Sequence, residues 1–248
     1  MTYNLIGVGN NAKTIKGDGS EYMTAIMYLK PHKTMWKGKV RNICPMADKA
    51  GCVEGCLNTA GRGVMSNVQA GRLRKTELLF EDRKHFINLL KTDITVFNRR
   101  TINRAIQPCV RLDGTSDNQF ERFGIMEQFP AVQFYDYTKI VKRAYKKLPS
   151  NYHLTLSYSE ANPEYANEVK QAVDDTGVNM AVVFGVKSAD DFPATFRGLP
   201  VINGDKDDLR FLDPAHCVVG LIAKGKAKKD TSGFVVHPNE DGTWGRLA

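Results

Sequence analysis

No run of about 18 consecutive apolar residues occurs in the 248-residue chain, so no segment reads as a membrane-spanning helix. The opening residues, Met1-Thr2-Tyr3-Asn4-Leu5, lack a charged stretch followed by an apolar one, and no secretory signal is expected. There is no Gly-x-Ser-x-Gly elbow and no His-Glu-x-x-His pair, which leaves serine-hydrolase and zincin chemistry without a foundation. Gly7-Val8-Gly9-Asn10-Asn11 begins like a phosphate loop, but it has no third glycine in register and no Gly-Lys-Ser/Thr ending. Internal repeats and low-complexity tracts are also missing. Cysteine is scarce at five residues, too few for a disulfide scaffold.

What is present is ordinary for a globular chain: 42% hydrophobic and 25% charged residues exclude disordered, collagen-like and coiled-coil classes. Lys and Arg number 35 against 27 Asp and Glu, a formal charge of +8. That excess suits an anionic partner without choosing between nucleic acid and a phosphorylated small molecule. The cations gather at Arg62, Arg72, Arg74 and Lys75, at Arg99, Arg100 and Arg104, along Lys139–Lys147, and at Lys224, Lys226, Lys228 and Lys229. Each group suits a solvated face, and together they permit a nucleic-acid footprint. Tyr135, Tyr137 and Tyr158 offer rings for stacking on a base, or rim positions with a wet hydroxyl.

Periodicity divides the chain. A short strand is expected at Asn4–Val8 and a buried one at Met23–Leu29, followed by a basic loop over Lys30–Arg41. From Val64 to Ile106 apolar residues recur at helical spacing. Strand and helix then alternate: strands at Cys109–Asp113, Ala131–Tyr135, His153–Tyr158, Met180–Phe184, Pro200–Asn203 and Cys217–Ala223. Helices are expected over Lys139–Lys147, after the Asn162 cap with Pro163 at the first position, and near Ala189–Phe196. This order predicts an α/β fold, a partial or complete (βα) barrel of TIM type, with a doubly wound open sheet as the alternative. The domain plan is a loop-rich extension over 1–22, one barrel-like domain over 23–223, and a basic tail or hairpin over 224–248.

In either architecture the carboxyl ends of the strands form the working face. They carry Asp113-Gly114-Thr115-Ser116-Asp117, Asp136-Tyr137-Thr138-Lys139, Ser157-Tyr158-Ser159-Glu160 and Gly185-Val186-Lys187. Asp117, Asp136, Tyr137, Tyr158 and Glu160 are therefore the candidates to face a pocket and carry catalysis.

The cysteines separate three from two. Cys44, Cys52 and Cys56 form a C-x7-C-x3-C segment, whereas Cys109 and Cys217 sit in apolar strand patterns as small buried residues. Thiolates favour soft or borderline metals, and three in one loop can converge on one centre. A tetrahedral zinc site wants a fourth ligand, which Cys109 or Cys217 would have to supply. A three-cysteine [4Fe–4S] cluster needs none. Buried thiols and a disulfide switch are the remaining alternatives.

A three-cysteine loop after a first strand and ahead of a helix resembles the radical S-adenosylmethionine superfamily. The stretch Cys56-Leu57-Asn58-Thr59-Ala60-Gly61-Arg62-Gly63 also resembles uncharacterised bacteriophage-encoded proteins with an N-terminal three-cysteine motif. The superfamily's usual spacing is C-x3-C-x2-C, with an aromatic where Gly55 stands here. The resemblance implies a barrel, a [4Fe–4S] cluster on Cys44, Cys52 and Cys56, and S-adenosylmethionine chelated at the open iron. It places cofactor binding at Gly114, Thr115 and Ser116, with Asn58 and Arg62 beside the cluster. It implies an enzyme of the host cytoplasm acting on a small-molecule or nucleotide substrate, with nucleic acid as a further partner. The alternative is a nucleic-acid-binding protein of phage DNA metabolism whose cluster or zinc is only structural.

Overall fold

The computed structural model describes residues 4–9 and 21–246. Asn10 and Asn11 of the glycine-rich segment, and most of the expected N-terminal extension, lie outside them. Ten strands share one sheet: β1 (Ile6–Val8), β2 (Tyr22–Met27), β5 (Gln107–Arg111), β6 (Gln133–Thr138), β7 (Tyr152–Ser157), β8 (Met180–Phe184), β9 (Thr195–Phe196), β10 (Leu199–Asn203), β11 (Val218–Ile222) and β12 (Val235–Val236). The spatial order is β1-β2-β5-β6-β7-β8-β11-β10-β9, with β12 added alongside β8. Every pairing from β2 to β10 is parallel, and the edge strands β1 and β9 are antiparallel. Among the described residues the four α-helices are α1 (Ser66–Glu81), α2 (Arg83–Ile102), α3 (Ile125–Gln128) and α4 (Pro163–Thr176).

The expected TIM-like (βα) barrel is not formed. Closure needs a last strand bonded to the first and a crossover helix for each parallel step. Here β1 and β9 stand at opposite ends of an open, mixed sheet, and most crossovers are loops and 3-10 turns. The basic stretch Lys139–Lys147 shortens to one turn, Val141–Arg143, because Arg143 is turned fully inward. Its guanidinium reaches Asp117 at 3.4 Å and Glu121 at 3.0 Å, so it serves tertiary ion pairs instead of a solvated helix face. Over Ala189–Phe196 the helix stops after the turn Ala189–Asp191, and the chain passes through Pro193 into β9.

Two other segments differ in detail. The basic loop is a hairpin, β3 (Lys33–Trp36) paired with β4 (Lys39–Asn42). Its two-residue turn, Lys37-Gly38, has φ of +46° and +73°, the left-handed pair that matches strand twist. The long helical stretch breaks at Asp82, whose carboxylate accepts the His85 N–H at 2.8 Å and caps α2. The cap expected at Asn162 is present: its side chain accepts the Tyr165 N–H at 2.8 Å, with Pro163 in the first turn.

All four helices among the described residues cover one sheet face. Phe86, Leu90, Ile94 and Phe97 of α2 pack on Ala25, Met27, Val110 and Phe134, while Tyr165, Val169 and Val173 of α4 pack on Leu156, Met180 and Val182. The opposite face is covered by the connection between β10 and β11, through Leu209 and Phe211. No helix among the described residues is long and apolar enough to cross a membrane.

Candidate functional site around the cysteine loop

The cysteine loop is pinned across the carboxyl ends of β5 and β7. The Asp117 N–H donates to the Ile43 carbonyl at 2.8 Å, and the Cys44 sulfur lies 3.8 Å from the Thr115 carbonyl. On the β7 side the Ser159 hydroxyl donates to the Ala50 carbonyl at 2.7 Å. At Gly51, with φ +61°, a β-carbon would come within 2.5 Å of Ala161, so only glycine lets the loop settle there. Cys52 packs against the small cluster of Ala227, Phe234 and Val235. The Cys56 sulfur accepts the Asn58 N–H at 3.5 Å and caps the turn Leu57–Thr59.

Lys139 follows β6, and the three thiols lie within its electrostatic reach. Its ammonium interacts electrostatically with Cys52, Asp117, Cys56 and Cys44. Burial favours the neutral amine, yet its pKa is raised by the Asp117 carboxylate and by the cysteines in their thiolate form. Nζ donates to the Ser157 hydroxyl at 2.9 Å and lies 5.6 Å from the Phe234 ring centre. Burial pushes the Cys44 thiol up to about 12 and also raises Cys56. Binding a soft metal would therefore release protons.

The sequence-derived residues divide around this centre. Asp117 belongs to it, accepting the Thr138 hydroxyl and the Lys139 N–H, both at 2.7 Å. Asn58 belongs as well, held by hydrogen bonds from Arg72 and to Gln69. Thr115 and Ser116 shape the β5 end: their hydroxyls donate to the Leu29 carbonyl at 2.6 Å and to Asp113 at 2.5 Å. Gly114 allows close approach, since a β-carbon there would sit 2.7 Å from Ile26 and the Tyr28 ring. Arg62 is exposed on the loop surface.

Asp136 faces the helix side. It accepts the Leu112 and Asp113 N–H groups at 3.3 and 2.9 Å and the Tyr152 hydroxyl at 3.2 Å, and burial raises it to about 6. Tyr137 lies on the opposite face, under the Arg111 guanidinium at 5.0 Å. Glu160 accepts from Tyr158, Arg197 and the Arg246 N–H, at 3.1, 2.9 and 2.7 Å, and so ties the C-terminal segment to β7. Cys109 is buried in the middle of β5 and Cys217 immediately before β11.

Along its length the chain matches one family model, described as Gene product 88, over residues 4–238. The chain belongs to the Gene product 88 family. No curated protein and no solved structure matches it.

Three residues of this site carried no distinctive signal in the sequence. Lys139 and Arg143 stood within a basic run, and Asp113 within a polar strand end. Asp113 is held well above the usual carboxylate range by burial and by Asp136 and Asp117 nearby, and its Oδ2 has no partner. Among the described residues no group of three or more His, Cys, Asp or Glu is arranged about a single metal ion. The arrangement thus offers no ready zinc site.

Proposed function

We propose that this is an iron–sulfur protein in which Cys44, Cys52 and Cys56 hold a [4Fe–4S] cluster. We place it with radical S-adenosylmethionine-like enzymes of phage origin, with a nucleotide or nucleic acid as the substrate class. The observation that carries this is the three-cysteine loop pinned over the carboxyl edge of a parallel sheet, by the Asp117 N–H on Ile43 and the Ser159 hydroxyl on Ala50. When bound, such a cluster leaves one iron open to S-adenosylmethionine and supplies an electron for its cleavage.

The chain's own residues have definite parts around it. Lys139 offsets the negative charge of three thiolates, and Asp117 fixes its backbone by accepting its N–H at 2.7 Å. Phe234 and Gly55 close one side against water, with no room for a β-carbon at Gly55, which would meet the ring at 2.8 Å. Asn58 and Arg72 line the flank beside Cys56, the Arg72 guanidinium 4.9 Å from the Tyr28 ring centre.

Anaerobic reconstitution tests the proposal: about 4 iron and sulfide per chain are expected for one cluster, with a spectrum perturbed by S-adenosylmethionine. Colourless protein holding one zinc would sink it.

A second reading, nucleic-acid binding with a structural cluster, draws on the turn Gly225–Lys229. It exposes Lys226, Lys228 and Lys229 and rests on the cysteine loop, its Lys226 N–H 3.4 Å from the Thr59 hydroxyl. Salt-sensitive DNA binding that survives Cys44→Ala would favour it.

A further inference from the structure

Parallel strands are buried on both faces and are normally apolar on both. The face of β5–β7 turned away from the helices is instead polar. Register places Tyr135 beside His153 and Tyr137 beside Thr155, with Arg111 of β5 alternating onto the same side. Several polar atoms there are buried without a partner: Arg111 Nε, His153 Nε2, Thr155 Oγ1, and Nε of Arg210 on the covering connection. Arg111, Thr155 and Arg210 are 5%, 0% and 1% exposed, so these groups have also lost water. Each such group has lost water without gaining a bond to offset it, and four at one buried seam require an explanation beyond packing.

The cover supplies part of it. Asp208 enters from the β10–β11 connection and meets Arg111 at 2.6 Å, with the Tyr135 hydroxyl 3.4 Å away. That connection carries one short turn, Arg210–Leu212, between residues 204 and 216, and no strand or α-helix. A single carboxylate occupies one guanidinium nitrogen and leaves Nε idle. A guanidinium fork is suited to a bidentate oxyanion.

We propose that this face is a binding site for the oxyanion group, phosphate or carboxylate, of a small molecule, and that Asp208 stands in for that group while the site is closed. Arg111 receives the oxyanion, Thr155 and His153 complete its contacts, and the 204–216 connection swings aside with Asp208. Ser157, which accepts from the Lys139 ammonium at 2.9 Å, follows Thr155 on the same side of β7. It does not depend on the cluster, because binding can be measured whatever the iron content.

The test compares thermal stabilisation by sodium phosphate and by sodium acetate, at matched ionic strength, in wild type, Asp208→Ala and Asp208→Ala with Arg111→Met, all with equal metal content. A built-in competitor lowers apparent affinity by the fraction of time it occupies the site. Asp208→Ala should therefore bind at least one of the two anions roughly tenfold more tightly than wild type, and the double variant should lose that gain. Response to phosphate, acetate or both supports the site and tells which group it prefers. A response equal in the single and double variants, or in neither, overturns it. Should Asp208→Ala fold poorly, rescue of its folding by either anion supports the proposal and failure of both overturns it.

Discussion

The Asp117 carboxylate accepts the Lys139 N–H at 2.7 Å, while the Asp117 N–H donates to Ile43, immediately before Cys44. One residue thus joins the end of β6, the end of β5 and the start of the cysteine loop. Asp117 also takes the Thr138 hydroxyl and the Arg143 guanidinium. Asp117→Ala would leave a buried arginine short of one carboxylate and is expected to cost about 3 kcal/mol of stability. Urea denaturation read by circular dichroism measures this; a loss under about 1 kcal/mol would show that the junction is not held there.

Asn162→Ala should cost about 1 kcal/mol, because it removes the acceptor for the Tyr165 N–H at the start of α4. The denaturation midpoint should fall with an unchanged slope. An unchanged midpoint would mean that the cap contributes nothing.

Gly114→Ala is expected to destabilise by about 1–3 kcal/mol, since the new methyl would press on Ile26 and the Tyr28 ring. The ring also lies under Arg72, which holds Asn58 beside Cys56. The variant should therefore lower both the melting temperature and the iron retained after reconstitution. Full iron retention would separate Gly114 from the cysteine loop.

Asp213 provides a pH signature. Burial raises its carboxyl to about 6, with Arg210 opposing the rise. The unfolded chain then loses the proton first, so this group's contribution to stability falls as pH rises from about 4 to about 6 and is level above that. Asp213→Asn should remove the fall. Stability curves of wild type and variant that stay parallel between pH 4 and 7 would show that no such shift exists.

Much of the fold could be read from residue pattern. Met180–Phe184 is a strand with the bounds expected, and Asn162-Pro163 starts a helix, because local apolar runs and caps act locally. The barrel was not legible, since closure depends on which strands pair at the edges and on whether each crossover forms a helix. Lys139–Lys147 has the composition of a helix face, but Arg143 is drawn inward by Asp117 and Glu121, partners more than 20 residues away. The three clustered cysteines were legible as a group. The charge of Lys139 within their electrostatic reach was not, because a lysine in a basic run gives no sign of being folded near thiols. Asp136 and Glu160 show the reverse: polar residues at strand ends that bond to backbone and to the C-terminal segment.

The most direct measurement is iron, sulfide and electron paramagnetic resonance on anaerobically reconstituted and reduced protein, with and without S-adenosylmethionine, for wild type and Cys44→Ala, Cys52→Ala and Cys56→Ala. Wild type should hold about 4 iron per chain and change its signal when S-adenosylmethionine is added, and each variant should lose the cluster. Iron bound equally well by all three variants, or a wild-type signal indifferent to S-adenosylmethionine, would overturn the assignment of Cys44, Cys52 and Cys56 to a cluster with an open iron.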